Sequence, residues 1–174
     1  TEEPAEGLGL AMTLNRIRPM CNEPGAVLAA LHKFATATTL ADWKVQVPDA
    51  LLALSNDRLN RERDRFGDVG VYKTAIGTHG GGTWKVNLDE PVNPRVGRRM
   101  AFLQDLIERD DEAHRDARVY VVDDEIVGAM YRYAPEGEWR TNVALGGDVK
   151  DATEDLPEVA RDTALYAAEV MELD

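Results

Sequence analysis

Apolar and polar positions change period several times along this chain, and each change marks an element. Asn22-Glu23-Pro24 is a helix-start signal, a polar cap followed by proline in the first turn. Val27, Leu28, Leu31, Phe34, Ala35, Thr38 and Ala41 then keep near-helical spacing, which predicts one helix, or two end to end, reaching about Trp43. Before it, Thr1 to Gly9 reads as an acidic tail and Leu10 to Met20 as too short for a domain. Pro48 keeps its predecessor out of helix geometry and opens Ala50 to Leu54, after which Ser55 can cap a polar, solvent-washed helix through Arg65. Val69 to Ile76 and Thr83 to Val86 read as strands around the glycine cluster Gly77 to Gly82, together a hairpin.

After Pro91 and Pro94, Met100 to Ile107 is apolar at its centre, and the charged stretch Glu108 to Asp116 is expected to loop into water. Arg118 to Val122 and Glu125 to Tyr133 alternate with a period of two around Asp123-Asp124, which predicts an antiparallel hairpin. Arg140 to Leu145 reads as a further strand. A helix is expected from Pro157 to Glu172, with Val159, Thr163, Tyr166, Ala167, Val170 and Met171 on one face. No repeat is present, and this order of elements predicts an α+β fold with largely antiparallel sheets and packed helices.

Composition narrows the function classes. With 174 residues and 44% apolar positions the chain can bury a core, and no apolar run approaches the ~18 residues of a membrane helix. The formal charge of -12 disfavours nucleic acid unless cations are gathered in one cleft. Only five of the 20 cations are Lys, and an acidic, lysine-poor surface fits a halophilic protein kept soluble in concentrated salt. Cys21 is the single cysteine, so no internal disulfide forms, and the start lacks signal-peptide character; a reducing cytoplasm is the expected location.

The glycine cluster has the outer spacing of a Walker A loop, but Thr83-Trp84 stands where Lys and Ser or Thr are required, and a strand follows instead of a helix. A dinucleotide fingerprint fails for the same topological reason. What remains is a flap of exposed backbone N–H groups that can close over phosphates, with Lys73 on the preceding strand. The competing reading is a flexible turn beside an ordinary edge lysine. Arg140-Thr141-Asn142, with Arg132, Asp116 and Arg118, supplies cations and amide donors suited to a transferring phosphoryl group; the competing reading is surface arginines paired with acids. The acidic run Glu108 to Glu112 with His114 lacks the order of a calcium loop, and His32 and His79 have no nucleophile partner in sequence.

Taken together, five segments resemble the RimK-type glutamate ligases of the ATP-grasp superfamily over about Asn22 to Asp174: Lys33; Lys73 with Gly77-Thr78-His79-Gly80-Gly81-Gly82; Gln104 to Ile107; Arg115 to Val122; and Ala134-Pro135-Glu136-Gly137-Glu138-Trp139-Arg140-Thr141-Asn142. The resemblance implies an ATP-grasp fold with ATP between two subdomains, about 22–103 and about 104–174, and residues 1–21 as the remnant of a preceding domain. It implies that Lys33 and Lys73 face phosphates beneath Gly80, Gly81 and Gly82. Asp105 and Leu106 would hold adenine, Asp116 and Asn142 would contact ATP, and Arg140 would stabilise the transferred phosphoryl group.

The implied reaction is ATP-dependent carboxylate–amine ligation through an acyl phosphate. Its partners are ATP with Mg²⁺, glutamate or a similar amino acid, and a protein or small-molecule carboxylate; neither nucleic acid nor membrane is among them, and a homo-oligomer is compatible. The family's metal-binding Asp, Glu and Asn are expected just after Asp174, so no metal ligand carries over and the chain reads as a fragment. Three departures stand out: His32 replaces a capping Asp, with an expected loss of ~1 kcal/mol; Lys44 replaces a helix-ending Gly; and Asp105 replaces Glu. A non-catalytic nucleotide-binding module and an acidic interaction domain are the alternatives.

Overall fold

In the computed structural model, which describes residues 4–77, 82–93, 100–107 and 114–174, three helices precede the first strand: α1 (Pro4–Asn15), α2 (Pro24–Leu31) and α3 (Lys33–Asp42). The expected tail is therefore helical from Pro4. The helix begun at Pro24 is two helices, and the N-terminal cap is Glu23, whose carboxylate accepts from the N–H groups of Gly25 and Ala26. His32 separates the two helices. Its Nδ1 accepts from Ala35 N at 3.2 Å, so the cap expected to be missing is supplied by imidazole in place of a carboxylate. Lys44 ends α3 in the left-handed region at φ 65°, where Val45 N reaches back to Leu40 O.

β1 (Ala50–Ala53), α4 (Asn56–Glu62, capped by Ser55), a 3-10 turn at Arg63–Arg65, β2 (Val69–Thr74), β3 (Thr83–Asn87) and β4 (Ala101–Asp105) follow. The four strands form one antiparallel sheet in the order β1-β4-β2-β3. The period of two sorts its faces. Tyr72 and Leu103 enter a core with Ala53, Leu59, Phe66, Val86 and Leu88, whereas Val71, Lys73, Phe102 and Gln104 point to the opposite face. There α3 covers part of the sheet, with Phe34 edge-on to Phe102 at 6.2 Å.

β5 (Arg115–Val122), β6 (Glu125–Tyr133) and β7 (Asp148–Asp151) form a second antiparallel sheet. Asp123 and Asp124 both take positive φ, the two-residue turn geometry that matches strand twist. Arg115 and Asp116, expected in a loop, already belong to β5, because Asp116 stands directly opposite Arg132. No strand forms at 140–145. Asn142 O accepts from Leu145 N, a 3-10 turn runs Val143–Leu145, and Gly146 at φ 91° reverses the chain, so the third strand is β7.

α5 (Glu158–Val170) packs behind this sheet, over a small core of Ala129, Ala152 and Leu156 with Val119, Tyr131 and Ala160. Its buried side is rotated from the expected one: Ala160 packs inward and Val159 is 73% exposed. The expected face is thus borne out only in its C-terminal half: Val159, Thr163 and Tyr166 are exposed, whereas Ala167 and Val170 are half-buried and Met171 is buried. Tyr166 is also exposed, but its hydroxyl donates to Trp43 O at 3.1 Å, tying α5 to the end of α3. Asn22 and Asp174 exchange two hydrogen bonds on the same side of the molecule.

Candidate functional site

The two sheets turn one face each toward a shared cleft of about 1400 Å³. On the first sheet, alternation from Tyr72 in the core brings Val71 and Lys73 to the cleft, with Gln104 and Lys85 across the ladder from Val71. On the second, Val119 and Ala129 pack toward α5 while Asp116, Arg118, Tyr120, Met130 and Arg132 face the cleft. The 134–142 segment, leaving β6, closes one end with Trp139, Arg140, Thr141 and Asn142.

Lys33, first residue of α3, donates its own N–H to Ala75 O and its ammonium to Gly77 O at 3.0 Å, at the entry to the glycine hairpin. Lys73 donates to Gln104 Oε1 at 2.6 Å. Burial lowers the pKa of both lysines below the ordinary range, and the nearby charge of Lys33 lowers Lys73 further. Among the described residues neither ammonium is in an ion pair. Two half-buried cations beside each other, with no carboxylate paired to either among the described residues, form a site that gains by receiving an anion.

The opposite wall is different, because two of its arginines, Arg132 and Arg140, are paired with carboxylates. Arg132 forks onto Asp116, with Nε at 2.8 Å and Nη2 at 2.5 Å, and Thr141 Oγ1 donates to the same carboxylate at 2.8 Å. Burial pushes the Asp116 carboxyl upward, but the hydrogen bonds from Arg132 and Thr141 and the charges of Arg132 and Arg118 outweigh it and hold the group below its usual range. Arg140 forks onto Glu138, which its hydrogen bonds hold down to about 2. The expectation that surface arginines pair with acids therefore describes Arg132 and Arg140 correctly, yet both arginines line the cleft.

Of the residues singled out in the sequence, Lys33, Lys73, Asp105, Leu106, Asp116, Arg140 and Asn142 all line this one cleft. Asp105 is fixed at the end of β4 by its N–H on Asp49 O. Gly80, Gly81 and His79 lie outside the described residues, as does 108–113 of the acidic run. Gly82 is at the root of the hairpin and outside the cleft lining: at φ 95° its carbonyl accepts from Thr74 N at 3.0 Å. Three participants were not singled out. Gln104 and Glu138 are partners of Lys73 and Arg140, and Lys85 lies over the Trp139 ring at 5.1 Å, a cation–π contact joining the two walls. Lys85 sits two residues from Thr83 on the same strand face, a signal that the alternation of β3 already carried.

Among the described residues no group of three or more His, Cys, Asp or Glu is arranged to hold a metal ion, and no helix is long and apolar enough to cross a membrane.

The RimK-like ATP-grasp domain family matches residues 30–174. Tetrahydromethanopterin:alpha-L-glutamate ligase of Methanocaldococcus jannaschii is 31% identical over 157 residues, covering 84% of this chain and 53% of that protein. Ribosomal protein bS6–L-glutamate ligase of Escherichia fergusonii is 29% identical over 157 residues, covering 88% and 52%. This chain thus spans about half the length of these curated relatives. In fold it is similar to the D-cycloserine synthetase DcsG, with a TM-score of 0.68 at 16% identity over 96% of this chain and 60% of that one. It is also similar to the ATP-grasp ligase PsnB complexed with minimal precursor, Mg and ADP, with a TM-score of 0.62 at 19% identity over 88% and 46%. With a family match that extends over most of its length and two sheets facing each other across a cationic cleft, the chain belongs to the RimK-like ATP-grasp family.

Proposed function

We propose that the cleft binds ATP and that the chain is the nucleotide-binding part of an ATP-dependent carboxylate–amine ligase that adds glutamate or a similar amino acid to a carboxylate. The observation that carries this reading is the Lys33–Lys73 pair, two partly desolvated ammonium groups without a carboxylate partner among the described residues, in the same cleft as Arg140 and Asn142. In this reading Lys33 and Lys73 hold the phosphates. Asp105 and Leu106 take the adenine at the end of β4, and Asp116 and Asn142 contact the nucleotide from the second sheet. The subdomain of about 22–103 supplies most of one wall, and that of about 104–174 supplies the other and completes the first with Gln104 and Asp105 at the end of β4.

A carboxylate is a poor electrophile until one oxygen becomes a leaving group. Its oxygen attacks the γ-phosphorus, the bond to the β-phosphate oxygen breaks, and ADP leaves an acyl phosphate. The amine then attacks the acyl carbon, inorganic phosphate departs and the nitrogen gives up a proton. In this reading Arg140, which lines the cleft, takes up charge on the transferring phosphoryl oxygens. Relatives named as glutamate ligases support glutamate as the amine. Mg²⁺ accompanies ADP in the PsnB complex and would accompany ATP in this reading, with its ligation assigned to none of the described residues.

Because ATP and free amino acids are its substrates, we place the protein in the cytoplasm. The charge of -12 argues against a nucleic-acid partner and for a salt-adapted surface. Calorimetry with the non-hydrolysable analogue AMPPNP tests the reading. Saturable binding that weakens about tenfold in Lys73→Ala, the loss of one charge-assisted phosphate contact, is the expected result. Affinity untouched by Lys73→Ala removes the cleft from the proposal. ADP release that depends on an added carboxylate and glutamate supports the ligase, whereas AMPPNP binding without such turnover leaves a nucleotide-binding module.

A further inference from the structure

Residues 134–142 leave β6 and join no ladder, although they carry Trp139 and Arg140 into the cleft. With no neighbouring strand to fix this backbone, something else must hold it. At residues 139 and 140 a carboxylate does so: Glu138 Oε1 accepts from Trp139 N at 2.9 Å, Arg140 N at 3.1 Å and Arg140 Nε at 3.1 Å, and Oε2 accepts from Arg140 Nη2 at 2.7 Å. The backbone of two residues and the plane of the guanidinium are thereby set together, since a planar fork matched to a carboxylate admits one orientation. Trp139 is held a second time, through its ring under the Lys85 ammonium.

We propose that Glu138 is a positioning residue that aims Arg140 at the bound nucleotide, an inference that rests on the nucleotide reading of the cleft. A plain charge argument predicts the opposite sign. Glu138 is an anion beside an anion site, so neutralising it would tighten nucleotide binding if its charge mattered more than its grip. The geometry favours grip, because both carboxylate oxygens are occupied by N–H donors of residues 139 and 140 and the charge is cancelled locally by Arg140. The neighbouring Asp116 does the same for the next stretch, taking Arg132 in a fork and Thr141 on one oxygen, so that the 140–142 segment is held from both sides by carboxylates instead of by a sheet.

The decisive variant is Glu138→Gln, which keeps one oxygen for the backbone donors but turns an NH2 toward Arg140. In the chain without nucleotide, the Arg140 Nη–H signals are followed by ¹⁵N-resolved magnetic resonance, and their solvent exchange is expected to speed up about tenfold when the Nη2–Oε2 bond is lost. AMPPNP is expected to bind about fivefold more weakly. In an Arg140→Ala background the same substitution is expected to change affinity by less than about twofold, as for two residues acting as one unit. Unchanged Arg140 exchange, or tighter AMPPNP binding by Glu138→Gln, overturns the proposal. If the parent chain binds no AMPPNP the nucleotide reading falls, and the exchange measurement still decides whether Glu138 holds Arg140. Should Glu138→Gln lose its fold by circular dichroism, Glu138→Asp, which withdraws the carboxylate by one methylene, is subjected to the same measurements.

Discussion

Lys44 holds φ 65° at the end of α3 with its side chain exposed, a conformation that costs an L-residue more than glycine. Lys44→Gly is therefore expected to stabilise the fold by about 0.5–1 kcal/mol, read as a raised urea midpoint. At the same scale, Lys33 and Lys73 couple binding to protons. Their depressed pKa values mean that the unfolded chain binds more protons than the folded one between the depressed and ordinary lysine ranges, so the stability of the unligated fold rises with pH through that window. An anion bound between them restores the charged forms. AMPPNP binding at alkaline pH is accordingly expected to take up protons, seen as a calorimetric enthalpy that varies with the ionisation enthalpy of the buffer; Lys73→Ala reduces the uptake. The carboxylates run the other way. Asp116 and Glu138 are held below their usual range, so their contribution is full above ordinary carboxylate pKa values and is lost as pH falls, toward about 2 for Glu138.

At the level of elements, the hairpin β2–β3 shows how much of the site was legible in the sequence. Alternation around Tyr72 and a glycine cluster after Thr74 were enough to place Lys73 on a strand beside a flap, because the period of two is a property of the backbone itself. The closing residue Gly82 carries a requirement of its own: a Cβ there would meet Thr74 Cγ2 at 3.0 Å, at a φ that disfavours any side chain. Gly82→Ala is expected to destabilise the chain by about 1–2 kcal/mol in urea unfolding, through the hairpin and not through direct loss of a cleft contact. The 140–145 segment shows the limit. It carries strand-like residues, yet β7 is the strand that pairs with β6, because Gly146 and the bonds onto Asn142 O turn the chain first. The α5 face is legible in part: helical period put Met171 on the buried side, but packing against β5 and β6 turns Ala160 inward and leaves Val159 exposed.

For the whole molecule, the surface charge and the cleft pull in opposite directions. A net charge of -12 repels a triphosphate at long range, and the cations gathered on the two facing sheets must reverse that field locally. Added salt screens the acidic self-repulsion, so the thermal midpoint is expected to rise by about 10 °C or more between 0.1 and 2 M KCl; a flat response contradicts salt adaptation. The sequence by itself determined the strand and helix periods, the antiparallel hairpins, the excess of acid and the types of residue available to grip a phosphate, since these depend on neighbours a few positions apart. Only the tertiary structure decided that Lys85 meets Trp139, that Lys73 shares a cleft with Arg140 and that Glu138 takes hold of Arg140. The first two depend on how one sheet is set against the other across long stretches of chain, and the third on a backbone turn that no periodicity encodes.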